Sequence, residues 1–188
     1  QSIYGAPGKW YLASVDGVHG PFDWVLSSAP LTQTQALFAD FNFDLTARYQ
    51  AGFTLLCQMT FSPSWDRAVC QDAVVAELIL SGRRPGRHHP NTLVVHAQDQ
   101  WASEQIASEP AMVEQTLRRA AETLLNTDFD SAKLHRWRDA SVIEPAASTH
   151  WLQPTLKLGA CGDWGGTQGA ESAFISARAL AAALVNKG

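Results

Sequence analysis

The stretch that most limits what this chain can fold into runs from Leu158 to Glu171 and continues into Ser172 to Val185. Leu158-Gly159-Ala160-Cys161 reads as a short apolar strand, Gly162-Asp163 stands at its exit, and Gly165, Gly166 and Gly169 make a glycine-dense turn. A long helix of small residues follows. The N-terminus of such a helix presents unpaired N–H groups and a positive dipole end, which suits an anion or an electron-rich carbonyl. Glycines remove the Cβ atoms that would keep a ligand away from that backbone. Asp163 is placed to accept hydrogen bonds from ligand hydroxyls. An ordinary strand–turn–helix, with glycines serving the turn and Asp163 as a cap, uses the same residues. Spacing by itself favours that plainer account, because a few glycines before a helix are a weak signal.

The other elements follow from pattern. Lys9 to Val15 and Phe22 to Ser28 read as strands around an Asp16-Gly17 hairpin turn, and Ala29-Pro30 stops the second. Leu31 to Ala39 reads as a short helix with Thr32 or Thr34 as its cap. Ala51 to Phe61 is a buried strand that Pro63 ends, while Val74 to Leu80 is short enough to be strand or helix. Thr92 to Ala97 is a strand, and Glu104 to Ala107 belongs to a short helix after Trp101. Pro110 to Leu125 is an amphipathic helix, with Met112, Val113, Thr116, Leu117, Ala120 and Leu124 on one side and Glu114, Arg118, Arg119 and Glu122 outside. His135 to Ser141 alternates as a strand, sending His135, Trp137 and Asp139 to one face and Arg136 and Arg138 to the other. The last helix is apolar almost all round, as if clasped between a sheet and another domain.

Composition narrows the function classes. A hydrophobic share of 46% and a charged share of 17% belong to a globular protein with a substantial core. A net charge of −4 speaks against nucleic acid as a partner. No apolar run approaches membrane-spanning length, no signal peptide opens the chain, and a membrane partner is not expected. Cys57, Cys70 and Cys161 are too scattered for a disulfide scaffold, so a reducing cytoplasm is the expected compartment. The basic loop around Arg83, Arg84 and Arg87 can be read as a phosphate site, although arginines on a Pro-Gly loop are more often solvated surface. His88 and His89 are adjacent without a third ligand, so no metal site is expected. GxSxG, HExxH and P-loop motifs are absent, and no catalytic residue is named. Trp137, Trp151, Trp164, Trp101 and His96 could line an aromatic cavity, although aromatic residues are more often core.

Gly162-Asp163-Trp164, the glycine turn, and Gly169-Ala170-Glu171-Ser172-Ala173-Phe174-Ile175-Ser176 resemble the C-terminal flavin-binding segment of FAD-dependent amine oxidases. Within them the segment is most similar to that of renalase-like oxidoreductases. In the same order, Trp24 to Pro30, Leu93 to Ala97 with Trp101, and His135 to Ala140 also resemble that family. Ser172 and Ala177 depart from it, since the pattern has glycine at both positions. The resemblance implies an α+β fold: a mixed, largely antiparallel sheet with helices, the substrate-side part of a two-domain flavoprotein. It implies a substrate-side region over 1–150 and a flavin-contacting strand, turn and helix over 151–188. It also implies that the N-terminal βαβ unit with GxGxxG, which holds the FAD pyrophosphate, is missing.

The implied site residues are Gly162, Asp163, Trp164, Gly169, Ala170, Glu171 and Ser172 for the cofactor, with His96, Trp137 and Trp151 lining the substrate cavity. The implied activity is hydride transfer from a small amine or nicotinamide-like substrate to non-covalent FAD in the complete protein, with the fragment itself unable to retain the cofactor. The implied partners are a small-molecule substrate and the missing dinucleotide domain, with self-association of the fragment over its uncovered face. A non-catalytic binding or interaction module that keeps the half-fold is the alternative.

Overall fold

The computed structural model describes residues 2–60, 63–87 and 91–185. The chain forms two compact units, one of residues 1–49 and 141–188, the other of residues 50–140. The first unit is therefore built from both ends of the chain. This division is one of packing, and it does not follow the functional division that the sequence suggested at residue 150. Both units are α+β, with antiparallel pairing dominant and four α-helices among the described residues.

In the first unit, β1 (Ser2–Ala6), β2 (Lys9–Ser14) and β3 (Gly17–Phe22) form an antiparallel sheet. Ala6 pairs with Lys9, leaving Pro7-Gly8 as the two-residue turn. Gly8 has φ +82° there, the left-handed value that glycine reaches without strain. The next turn is Val15-Asp16, because Ser14 pairs with Gly17. The expected strand from Phe22 to Ser28 is in fact two pieces. Phe22 ends β3, and β4 (Val25–Ser27) leaves for a second sheet of order β10-β11-β4. There β10 (His150–Gln153) pairs antiparallel with β11 (Leu158–Cys161), and β11 pairs parallel with β4. The partner that splits the run lies about 130 residues further along, so local pattern could not reveal it.

Helix α1 (Leu31–Leu37) follows β4, and α4 (Ala170–Val185) follows β11 through a 3-10 turn at Asp163–Gly165. Trp10, Val25, Leu31, Phe38, Val142, Trp151, Leu158, Ala160 and Trp164 form this unit's core. Helix α4 is not buried all round as expected. Ser172, Ser176 and Leu180 make one buried stripe at i, i+4 and i+8, whereas Phe174 is 63% and Val185 81% exposed. Small residues let that stripe approach β10 and β11 closely, so a single face suffices to dock the helix.

The second unit is a five-stranded sheet of order β6-β7-β8-β5-β9. Its strands are β5 (Arg48–Gln58), β6 (Arg67–Val69), β7 (Val75–Leu80), β8 (Thr92–Ala97) and β9 (Ser131–Glu144), and the outer ends of β5 and β9 belong to the first unit. Val75–Leu80 is thus strand, the alternative that antiparallel partners on both sides settle. Phe53, Leu55, Cys57, Leu78, Leu80, Leu93 and Val95 meet Val113, Leu117 and Ala121 of helix α3 (Pro110–Leu125) in the core. Helix α2 (Asp99–Gln105) starts five residues earlier than expected and adds Ala102.

The buried face of α3 is rotated from the expected one. Met112 and Leu124 are exposed, and the half-buried Glu114, Arg118 and Glu122 bond to backbone. Glu114 accepts from the Leu134 amide at 3.0 Å, and Glu122 accepts from the Phe129 amide at 2.9 Å. Those two carboxylates face the chain because β9 and the segment leading into it offer them donors.

Candidate functional sites

Two places gather the residues that the sequence singled out, one in each unit. In the first unit, Ser27 is in register with Ala160 on parallel strands, so β4 and β11 end side by side. Each strand then feeds a helix. Ligands of α/β sheets bind outside the carboxyl ends of such paired strands, where helix N-termini converge.

The turn after β4 is tied internally. Thr34 does not cap α1 in the expected way; its buried hydroxyl lies 2.8 Å from Ser27 Oγ and donates to the Ala29 carbonyl at 3.2 Å. The first amide of α1, on Leu31, donates to Tyr49 Oη at 3.2 Å, and Tyr49 Oη donates to Asp163 Oδ1 at 3.1 Å. Asp163 is thereby positioned by a tyrosine 114 residues away. Its Oδ2 makes no hydrogen bond among the described residues.

The glycines of the turn divide into two kinds. A Cβ on Gly162 would lie 2.3 Å from Trp164 Nε1, one on Gly165 2.6 Å from the Thr149 carbonyl, and one on Gly166 2.6 Å from Ser172 Oγ. These three serve close packing of the chain on itself. Gly169 differs, since it has φ +56° and nothing within 4 Å of a Cβ there. Gly169, Ala170 and Glu171 are exposed, and the Gly169 and Ala170 amides have no partner among the described residues. Ser172 turns inward instead and accepts from the Gln168 amide at 2.8 Å, a side-chain return that closes the start of α4. Serine fits at this position because Gly166 beside it has no side chain.

Trp164 is wholly buried, edge-on to Phe43. Its Nε1 is a buried donor without a partner among the described residues. That N–H is enclosed, so what the edge offers a ligand is an open helix N-terminus for acceptor oxygens and a carboxylate oxygen for hydroxyls. The residues present therefore fit the ribityl–pyrophosphate part of FAD.

In the second unit, the sheet face opposite the α3 core carries Thr54 and Leu56 from β5, His96 and Val94 from β8, and His135 and Trp137 from β9. Trp137 is 48% exposed, and its ring lies 3.9 Å from that of His135. Trp137 Nε1 donates to Thr54 Oγ1 at 3.1 Å, and Thr54 Oγ1 is 3.2 Å from His96 Nδ1. Burial lowers the His96 pKa below the usual imidazole value, favouring the neutral ring. The structure thus brings His96 and Trp137 together through Thr54, a residue that sequence reasoning passed over. Its strand alternation was legible, but its partners come from two other strands.

Trp151 is not at this place. It is core in the first unit, 5.4 Å from Phe38 and 5.1 Å from Phe43 between ring centres. Trp101 packs against the second core through Phe53. The basic loop turns on itself: Arg83 pairs with Asp66 at 3.3 Å and bonds the Pro63 carbonyl, while Arg87 donates to Ser81 Oγ. His88 and His89 lie outside the described residues.

No protein-family model and no curated protein matches the chain. Among solved structures, the fold is similar to that of the putative protoporphyrinogen oxidase from Exiguobacterium sp. 255-15. The TM-score is 0.58 at 12% sequence identity, over 95% of this chain and 46% of that one. At that identity the likeness is one of fold, and the chain spans about half the length of the protein it resembles. Among the described residues, no helix is long and apolar enough to cross a membrane.

Proposed function

We propose that this chain supplies the substrate-side fold and the C-terminal cofactor-contacting segment of an FAD-dependent oxidoreductase of the amine oxidase class, renalase-like in its segment. The observation that carries this reading is the paired carboxyl ends of β4 and β11, with exposed Gly169 and Ala170 amides and the Tyr49-held Asp163 beside them. When bound, FAD supplies the hydride acceptor for oxidation of a C–N or similar bond. The chain's own contribution is to bind and to orient. Asp163 accepts from ligand hydroxyls, the α4 N-terminus donates to acceptor oxygens, and the His96–Trp137 face receives the substrate. No acid–base pair is required of the protein for this chemistry.

The fold likeness to a putative oxidase over 46% of that protein's length supports a division of labour in which a glycine-rich βαβ unit is supplied separately. The exposed Phe174, Ile175 and Val185 of α4 would then be covered by that unit, and by self-association in its absence. The attachment is non-covalent, because Cys161 is half-buried and burial raises its pKa, which keeps it a weak nucleophile. A small amine or nicotinamide-like molecule is the substrate class in this reading, and the site is cytoplasmic.

The test joins the chain to a βαβ unit bearing GxGxxG and records the visible spectrum of the purified protein. A flavin spectrum that Gly169→Val abolishes, with folding retained by circular dichroism, is the expected result. Colourless protein, or a spectrum indifferent to both Gly169→Val and Asp163→Ala, overturns the reading and leaves a binding or interaction module.

A further inference from the structure

The contact among Trp137, Thr54 and His96 has a direction that chemistry fixes. An indole N–H only donates, so Thr54 Oγ1 is the acceptor of the 3.1 Å bond from Trp137. The threonine hydroxyl keeps its own proton to give. Thr54 is buried, and among the described residues its other hydrogen-bonding partner is His96 Nδ1 at 3.2 Å. A buried hydroxyl proton left without an acceptor is disfavoured, so that proton goes to His96 Nδ1. A neutral imidazole that accepts at Nδ1 carries its hydrogen at Nε2.

We propose that Thr54 is a positioning residue whose hydroxyl, oriented by the Trp137 indole, holds neutral His96 in the Nε2–H tautomer and gives the open sheet face one aimed hydrogen-bond donor. The donor sits on the far side of the ring from Thr54, and Nε2 has no partner among the described residues. It suits an acceptor atom of a molecule lying on this face beside His96, on the side away from Thr54. That last step rests on the reading in which this face receives the substrate; the tautomer does not.

The groups around His96 agree with a neutral ring. Glu77 stands in register with it on β7, but its carboxylate is engaged by Arg67 of β6. His135, Asp139 and Lys133 share the face from β9, and Thr92 shares it from β8. Burial acts in the same direction by disfavouring the imidazolium.

The experiment is nitrogen-15 NMR of the histidine side chains in the chain as it stands. The expected pattern for His96 is an unprotonated Nδ1 and a protonated Nε2. Thr54→Ser should preserve it. Thr54→Val should give a mixture of tautomers, because no hydroxyl then donates to Nδ1. Should Thr54→Val fail to fold, Trp137→Phe at an exposed position serves instead. It frees the hydroxyl to accept from His96 and should relax the tautomer preference likewise. A protonated Nδ1 in the unsubstituted chain overturns the proposal. So does a tautomer pattern unchanged by whichever of the two substitutions folds. Neither outcome depends on flavin binding, so failure here is distinguishable from failure of the oxidoreductase reading.

Discussion

At the residue scale, position in the hydrogen-bond network decides what each candidate side chain can do. Asp163 holds Tyr49, and in the proposed flavoprotein it would also meet a ligand, so Asp163→Ala should act twice. In a flavin-bearing form, loss of a charged acceptor worth about 1.5–3 kcal/mol should weaken FAD retention by roughly 10- to 150-fold. Fluorescence of released flavin measures it, and unchanged occupancy after purification would remove Asp163 from the site. The cysteines give a sharper test of environment. Burial pushes the Cys57 thiol up to about 12, and raises those of Cys70 and Cys161 as well. Cys57 should therefore resist a thiol reagent at pH 8 in the folded chain, while all three cysteines react in denaturant. Rapid native labelling at Cys57, read by mass spectrometry, would contradict the core around it.

At the scale of elements, the end of α3 shows how a polar cluster shapes a turn. Glu122 accepts from Arg118 at 2.7 Å and from the Phe129 amide, and Arg118 donates to the Phe129 carbonyl. Asn126 ends the helix with φ 50°, in the left-handed conformation that asparagine tolerates. Burial would raise the Glu122 pKa, but the Phe129 amide and Arg118 outweigh it and hold the carboxyl below its usual 4.5. A carboxylate depressed in the folded state contributes stability that is fully present above pH 4.5 and fades as pH falls through the lower folded value. Glu122→Gln should therefore flatten the acid limb of the stability profile. Glu122→Ala should cost about 2 kcal/mol, read by urea denaturation at pH 7. His96 runs in the same sense: its lowered folded pKa makes stability rise with pH between that value and 6.5.

For the molecule as a whole, the proposed flavoprotein reading leaves few charged contacts for a dinucleotide among the described residues. One helix N-terminus, one carboxylate and the turn after β4 stand where a complete site adds a glycine-rich turn on the pyrophosphate and an acidic residue on the ribose. Removing several contacts of roughly 1.5–3 kcal/mol each turns a tight site into a very weak one. The purified 188-residue chain should accordingly show no saturable change in flavin fluorescence at micromolar protein. Saturation there would mean that the chain holds a cofactor site of its own. Joined to a dinucleotide unit, it should release yellow supernatant on acid precipitation, whereas a yellow pellet would show a covalent bond.

What the sequence by itself determined was local. Pro110–Leu125 and Thr92–Ala97 appear with the bounds that periodicity predicts, because an amphipathic helix opened by proline and a β-branched run carry their own signals. The strand, glycine turn and helix from Leu158 to Val185 were equally legible. Tertiary structure alone decided which partner each segment met. The run from Phe22 to Ser28 broke because β4 pairs with a strand near the other end of the chain. Trp151 became core while Trp137 stayed open, although both are tryptophans on strands. Three of the turn's glycines proved to serve packing against Trp164, Thr149 and Ser172, leaving Gly169 as the open one. Periodicity records which face of a segment is apolar; what that face, or a buried hydroxyl such as Thr54, touches is set by strands far away in sequence.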